Sequence, residues 1–446
     1  MNGLEENKAL KLANEFLHGE IEQLLKRNIE LDNMVSKLKG ENNKIQGFVS
    51  YKISRIIMEN LKLYCWYKIP YKLFLLYKEN KENKENKERI LKSGFVCWYC
   101  SLLITLKKDK QAIQFAKDNL PHYCKRSLDI LLANTKIKKE EEWLVCINRY
   151  LKNFSNYPLK LNKMCSDKEL FFRIECPVDY SINQGPLVTI IMPAHNAERT
   201  IDFAIDSILN QTYKNIELII IDDCSNDSTL EIIKQKKKMD SRIKIICNKQ
   251  NLGPYISKNK ALDISSGQYI TGHDADDWAH PQRIEKQVNF MLNNPNVKAM
   301  VAKKIRITEE GEIVNFYIAK KVEDDGILST AFISCMIDAA FMKSKLGYWD
   351  SVRFGADSEI MNRIKSLDES IYVEENIFTM FCLESKTSLT NHPEYGISKV
   401  TGMSDIRRRY FESFKKWQKE TTNYYIEFPL LKRPFEAPIE MQILEN

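Results

Sequence analysis

The stretch VTIIMPAHNAERTIDFAIDSILNQTYKNIELIIIDD, residues 188–223, opens and closes on apolar runs of strand length and carries a helical pattern between them. Residues 187–192 run up to Pro193, and residues 217–221 run up to Asp222 and Asp223, so both stop abruptly at turn chemistry. Between them Ile201, Ala204, Ile205, Ile208 and Leu209 recur at helical spacing behind Glu198 and Thr200, which predicts a helix with one face on a sheet. Ser228 stands where a second helix would be capped, ahead of Leu230, Ile232 and Ile233, and residues 242–247 read as a third strand. A fourth follows at Tyr269 and Ile270. Alternation of this kind predicts an α/β fold with right-handed crossovers and a mostly parallel sheet, whose ligands collect beyond the carboxyl ends of the strands.

The fourth strand runs into GQYITGHDADD, residues 267–277, and so delivers Asp274, Asp276 and Asp277 to one strand end. Asp-rich turns also occur as solvated surface loops. Carboxylates crowded at a strand end, however, repel one another unless a hard cation or a set of donors compensates them. Magnesium or manganese held by one or two carboxylates completes its shell with water and substrate phosphates, so the expected ligand is a nucleotide diphosphate. Residues 193–196, Asp222 and Asp223 fall at the same kind of strand end.

Four segments together, the stretch from Val188 to Thr229, then NLGPYISKNKAL, then GQYITGHDADDWAHPQRI, then FGADSEIMNRI, resemble family 2 glycosyltransferases of the GT-A fold over about residues 186–367. The resemblance implies an inverting, DxD-containing enzyme of the bacterial surface-polysaccharide type. It implies that Pro193, Ala194, His195 and Asn196 form the loop around the nucleotide base. Asp223 would hydrogen-bond base or ribose, with Asp222 beside it. Asp274 is similar to the first Asp of the DxD motif, near ribose and metal, and Asp276 to the second, which binds Mn2+ or Mg2+. Lys258 stands where the family commonly has Arg, so a diphosphate contact there would be a point charge and not a planar fork. Asp357 matches the catalytic base, although Ala356 replaces a frequent Glu; Glu359 is the reserve candidate. The mechanism then needs a cation for the leaving diphosphate, a base for the acceptor hydroxyl and a pocket that excludes water. A helix cap is the other reading of Asp357, and the two roles are compatible.

Residues 386–392, KTSLTNH, are reminiscent of a lid segment in related bacterial enzymes. His392 is a candidate ligand for metal or phosphate, against the plainer reading of an exposed loop residue. Arg407, Arg408 and Arg409 lie on an expected helix with Tyr410, Phe411, Phe414 and Trp417, where a solvated charged face above an apolar one explains them. The tail with Pro429, Pro434 and Pro438 reads as irregular chain lying on the domain.

The chain of 446 residues has room for more than one domain, and 43% hydrophobic residues with a mean hydropathy of −0.40 describe a core-forming protein. A net charge of +7, spread along the chain, argues only weakly for nucleic acid and better for an anionic donor or an anionic membrane surface, so no nucleic-acid partner is expected. No run is apolar enough for a membrane span, and the first ten residues, MNGLEENKAL, lack signal-peptide order, so the expectation is cytoplasmic, with peripheral contact on the inner face of the cell membrane. Of eleven cysteines only Cys97 and Cys100 form a CxxC pair, in an apolar helical setting without further zinc ligands, which reads as reduced, buried thiols.

Five regions are expected. Over residues 1–47, Leu10, Leu17, Leu24, Leu31, Leu38 and Ile45 repeat every seven residues, with Asn14, Ile21, Asn28, Val35 and Asn42 four after each. This predicts a coiled-coil homodimer, with a single amphipathic helix as the other reading. Residues 48–89 interleave Tyr and Trp with Lys and Arg, as membrane-interface helices or a basic helical pair would, and end in the polar linker KENKENKENKER. Residues 90–165 predict helix pairs loosely similar to tetratricopeptide repeats. Residues 186–400 form the catalytic domain, and residues 401–446 a helix and tail. The expected function is transfer of a hexosyl or N-acetylhexosaminyl group from a nucleotide-diphosphate sugar, a UDP-sugar first, to a hydroxyl of a glycan or lipid-linked acceptor. The alternative is a catalytically degenerate scaffold acting through its coiled coil and helical repeats; a nucleotidyltransferase would open instead with a Gly-rich phosphate loop where this chain has PAHNAE.

Overall fold

The computed structural model describes residues 93–314, 325–384, 392, 394–398 and 402–443. The heptad region and the basic aromatic stretch lie outside them. Four helices come first: α1 (Ser93–Thr105), α2 (Asp109–Asn119), α3 (Ser127–Asn134) and α4 (Glu140–Lys152). In α4 the buried residues Trp143, Ile147, Tyr150 and Leu151 fall on one stripe, while Glu140, Glu141 and Glu142 in the first turn and Arg149 and Lys152 in the last complement the helix dipole. Cys97 and Cys100 are buried inside α1, where the Cys100 thiol donates to the Ala112 carbonyl at 3.2 Å, so the expected apolar helix forms there.

These helices are bolted to the domain that follows through its backbone. The Trp143 indole donates to the Gly311 carbonyl at 2.9 Å, and the Asn134 amide exchanges both bonds with Ile313, at 2.7 and 2.8 Å. Asp325, almost fully buried, accepts from Arg126 Nε at 2.8 Å, Tyr150 Oη at 2.7 Å and its own Ile327 N–H at 3.0 Å. A buried carboxylate with that many donors is a satisfied one.

The domain is built on ten strands: β1 (Val188–Ala194), β2 (Ile216–Asp222), β3 (Ile243–Cys247), β4 (Tyr269–Gly272), β5 (Trp278–Ala279), β6 (Ala299–Ile307), β7 (Ile313–Val314), β8 (Ser329–Thr330), β9 (Met336–Asp338) and β10 (Tyr372–Leu383). Helices α5 (Ile201–Leu209), α6 (Thr229–Met239), α7 (Gly253–Asp263) and α8 (Arg283–Asn293) alternate with the early strands; α9 (Ala356–Leu367) and α10 (Asp405–Glu420) come later. The strand order is β3-β2-β1-β4-β9-β6-β10-β5, with β7 and β8 on β6.

The predicted β1-α5-β2 unit is present, and β3, β2, β1 and β4 are parallel to one another. The expectation of a mostly parallel sheet does not hold beyond them. β9 is antiparallel to both β4 and β6, β5 is antiparallel to β10, and only β6 with β10 restores a parallel pair, so the sheet is mixed. Between residues 294 and 338 the described chain contains no α-helix, and there β7, β8 and β9 all return antiparallel on β6, as strands joined without a crossover helix do.

Strand residues alternate between two cores. Ile190, Met192, Leu218 and Ile220 meet Ile201, Ala204, Ile205 and Ile208 of α5 and Ile284, Val288 and Met291 of α8. Ile191, Ile219 and Ile221 face α7, α9, α10 and the C-terminal residues Phe435, Ala437 and Met441. Covered on both sides, all seven residues of β2 are buried. The proline-bearing tail thus supplies core side chains. Each fully buried Ile contributes on the order of 1.5–3 kcal/mol from leaving water.

Candidate functional site

The carboxyl ends of β1, β2 and β4 lie side by side, because Ala194 pairs with Asp222, and Ile191 pairs with Gly272. Two residues just past those ends, Asn196 (φ 49°) and Cys224 (φ 61°), take the left-handed conformation that non-glycine residues rarely adopt. Their loops are stitched together. Asn196 Oδ1 accepts from Asn226 N at 2.9 Å, Asn196 N donates to Ser225 Oγ at 3.0 Å, and Ala197 N donates to Thr229 Oγ1 at 2.7 Å. His195 and Asn196 are exposed, Pro193 half-buried and Ala194 buried, with His195 Nδ1 2.9 Å from the Asp223 carbonyl. Ser228 occupies the expected cap position of α6 but makes no side-chain cap bond; Asp227 instead accepts from Thr229 N at 3.0 Å.

Asp223 is buried, and its carboxylate accepts from Asn248 Nδ2 at 2.7 Å, Leu252 N at 2.9 Å and Gly253 N at 2.7 Å. It thereby caps α7, and Gly253, at φ 78°, is what lets the chain turn its N–H toward the carboxylate. Asp222 beside it is buried with one carboxylate oxygen, Oδ1, lacking any hydrogen-bond partner.

Beyond β4 the three predicted carboxylates do come together: Asp274, Asp276 and Asp277 present oxygens within 4.8 Å of one another. Asp274 and Asp276 are half-buried and reachable, whereas Asp277 is buried and accepts from Cys382 Sγ at 2.9 Å and Leu383 N at 3.1 Å. Burial, then repulsion from Asp277 and Asp274, holds the Asp276 carboxyl well above the usual range. Burial and Asp274 push Asp277 up to about 6. Burial also raises Asp274, against the opposing pull of Lys258. Three oxygen donors whose charges oppose one another, two of them open to solvent, fit a hard divalent cation.

Asp357 lies in the first turn of α9, whose cap residue is Gly355 at φ 93°, so the reading of Asp357 as the cap residue is corrected. Its carboxylate is 3.0 Å from Lys258 Nζ, and it accepts from Tyr255 Oη at 3.2 Å. Lys258 is almost fully buried, 4.7 Å above the Tyr255 ring. The predicted phosphate contact is therefore tied to the predicted base, and both act electrostatically on Asp274. Glu359, the reserve base, points away: it is buried against Arg363 at 3.0 Å and Gln418 at 3.0 Å. His392 stands apart from the carboxylate cluster, stacked on Tyr395 with ring centroids 3.4 Å apart. Arg407 is not a solvated charge, since it lies 4.6 Å over the Phe354 ring and donates to the Tyr395 carbonyl.

Sequence reasoning missed the supports. Arg283, fully buried, reaches Thr271 Oγ1 at 3.0 Å, the Gly272 carbonyl at 2.6 Å and His273 Nδ1 at 3.1 Å, and so braces the end of β4 under the carboxylates. Burial, with Arg283 alongside, keeps His273 neutral by pulling it well below its usual value. It also missed Lys304 and Arg306 on β6; their spacing of two in KKIR, which puts both on one strand face, was the available signal.

Residues 189–344 match the model of the family "Glycosyl transferase family 2", and the chain carries a domain of that family. An uncharacterized glycosyltransferase of Haemophilus influenzae is 50% identical over 115 residues, which is 26% of this chain and 36% of that protein. The Escherichia coli protein WfgD, named UDP-Glc:alpha-D-GlcNAc-diphosphoundecaprenol beta-1,3-glucosyltransferase, is 37% identical over 150 residues, 34% of this chain and 58% of WfgD. The chain thus spans less than two thirds of the length of these curated relatives. Among solved structures, S. aureus TarS 1-349 in complex with UDP-GlcNAc is similar at 17% identity and a TM-score of 0.38, over 45% of this chain and 59% of that one, a likeness too distant to bear on function. No helix among the described residues is long and apolar enough to cross a membrane.

Proposed function

We propose that the protein transfers a sugar, with inversion, from a nucleotide-diphosphate donor to a hydroxyl of a glycan or lipid-linked acceptor in bacterial surface-polysaccharide synthesis. The observation that carries this reading is the joint placement of Asp274, Asp276 and Asp277 with the Lys258–Asp357 pair, all but Asp357 lying within the residues 189–344 that match the family 2 model. Asp276 and Asp274 would hold Mn2+ or Mg2+, and Asp277, anchored by Cys382 and Leu383, sets the loop that aims them. The cation's contribution is neutralisation of the diphosphate as it leaves. Asp357 accepts the proton of the acceptor hydroxyl as its oxygen bonds the anomeric carbon and the bond to the diphosphate oxygen breaks. Lys258 and Tyr255 hold the Asp357 carboxylate in place until then. Asp222, with its free buried oxygen, and the stitched loop at 193–196 suit the nucleoside.

A UDP-sugar is the first donor to test and a lipid-linked sugar the first acceptor, as in the name WfgD carries. Calorimetric titration with UDP and then GDP, with and without Mn2+, is expected to give metal-dependent binding of one nucleotide that is lost in Asp276→Ala. Absence of binding by UDP, GDP, CMP and dTDP would overturn the reading in favour of a scaffold.

A further inference from the structure

Adjacent lysines on β6 have opposite fates. Lys303 is engaged by Glu374 at 3.2 Å and Thr330 at 3.2 Å, on one face of the strand. Lys304, on the other face and half-buried, has no hydrogen bond or ion pair among the described residues. Arg306, two residues on and hence on the same face as Lys304, has a single ion pair, to Glu384 at 3.2 Å.

The register says what that face looks at. β6 and β10 are parallel neighbours with Lys304 opposite Met380 and Arg306 opposite Cys382, and residues opposite one another share a face. Cys382 uses that face to donate to Asp277 at 2.9 Å. Lys304 and Arg306 therefore look toward the loop that carries the carboxylates. A half-buried ammonium without a partner of its own is free to meet an anion that enters the site. The carboxylates themselves do not fill that role, since none comes within ion-pair distance of Lys304.

We infer that Lys304, with Arg306 behind it, forms the cationic wall of the site and grips the phosphate of a nucleoside diphosphate opposite the carboxylates. This rests on the proposed nucleotide-sugar chemistry of the site. It divides labour between two lysines: Lys258 holds the base, and Lys304 meets the anion.

The test compares wild type, Lys304→Met and Lys304→Arg by calorimetry with three probes: Mn2+ alone, UDP with Mn2+, and uridine. Loss of a charge-assisted contact to phosphate is expected to weaken UDP about 10- to 100-fold in Lys304→Met. Uridine is expected to bind unchanged, and Mn2+ alone as tightly or tighter, because a cation near the carboxylates has gone. Lys304→Arg is expected to recover most of the UDP affinity. A residue with only a structural role would move all three probes in the same direction. If Lys304→Met fails to fold, Lys304→Gln serves in its place. Wild-type binding of UDP matched by the variant would overturn the assignment of Lys304 alone. If the wild type prefers GDP, GDP and guanosine replace the uridine pair; if it binds no nucleoside diphosphate, the parent reading falls and the inference with it.

Discussion

Glu359 and Asp350 are buried as fully as any carboxylates of this domain, and each faces an arginine: Glu359 has Arg363 at 3.0 Å, an ion pair in which Glu359 Oε2 makes no hydrogen bond, and Gln418 at 3.0 Å, while Asp350 has Arg433 and, at 2.8 Å, Tyr410. Asp274, Asp276 and Asp277 sit at the sheet's carboxyl edge, where Cys382 and Leu383 anchor Asp277 while Asp276 is repelled by both of the others. The first set joins α9, α10 and the tail, with Arg363 also donating to the carbonyls of Leu346 at 2.7 Å and Tyr348 at 2.8 Å. The second leaves repulsion in place. Charges that a fold encloses and neutralises hold it together; charges that it encloses and leaves opposed wait for something to bind.

Asp357→Asn should have the largest effect on turnover, a fall of about 10²- to 10⁴-fold in kcat, with Mn2+-dependent nucleotide binding retained. Retained turnover would move the base elsewhere. Arg363→Met tests the neutralised set: it strands Glu359 and should cost about 3–5 kcal/mol in denaturant unfolding, while the folded fraction keeps its nucleotide affinity. A cost below about 1 kcal/mol would show that network to be idle and the contrast false. Asp276→Asn should do the reverse, raising metal-free stability by about 0.5–2 kcal/mol while abolishing the rise in Tm that Mn2+ gives the wild type. The smallest effect is on pH dependence. Burial raises Glu359 to about 7, above its unfolded value of about 4.3, so the folded state binds the extra proton between them. Its contribution to stability is full below about pH 4 and lost as pH rises through about 7. Glu359→Gln should flatten that decline in Tm measured from pH 5 to pH 8.

The parallel half of the sheet was legible because each strand ends in punctuation, Pro193 after one and Asp222 after the next, and because α5 shows one clean apolar stripe. The antiparallel half was not, since β6 reads AMVAKKIRI, which mixes a buried run with an alternating one, and β9 is only three residues long. The carboxylates could be picked out as a local string, DADD. Two of their supports could not, because Arg283 and Cys382 come under them only through strand pairing and helix packing that a linear pattern does not encode. Asp223 shows the converse: an acid at the right place in the string turns out to be held by three donors of its own chain. The heptad, strong as a pattern, lies outside the described residues.

The bolts between the four leading helices and the sheet bear on where this protein can be cut. Gly311 and Ile313 give their backbone groups to Trp143 and Asn134, and Asp325 depends on Arg126 and Tyr150 for two of the four donors to its carboxylate. A shortened chain begun near Pro186 would leave those groups without partners. Anyone expressing the transferase domain for crystals or assays should therefore start upstream of Ser93, and should expect insoluble material from the tidier boundary that the family match invites.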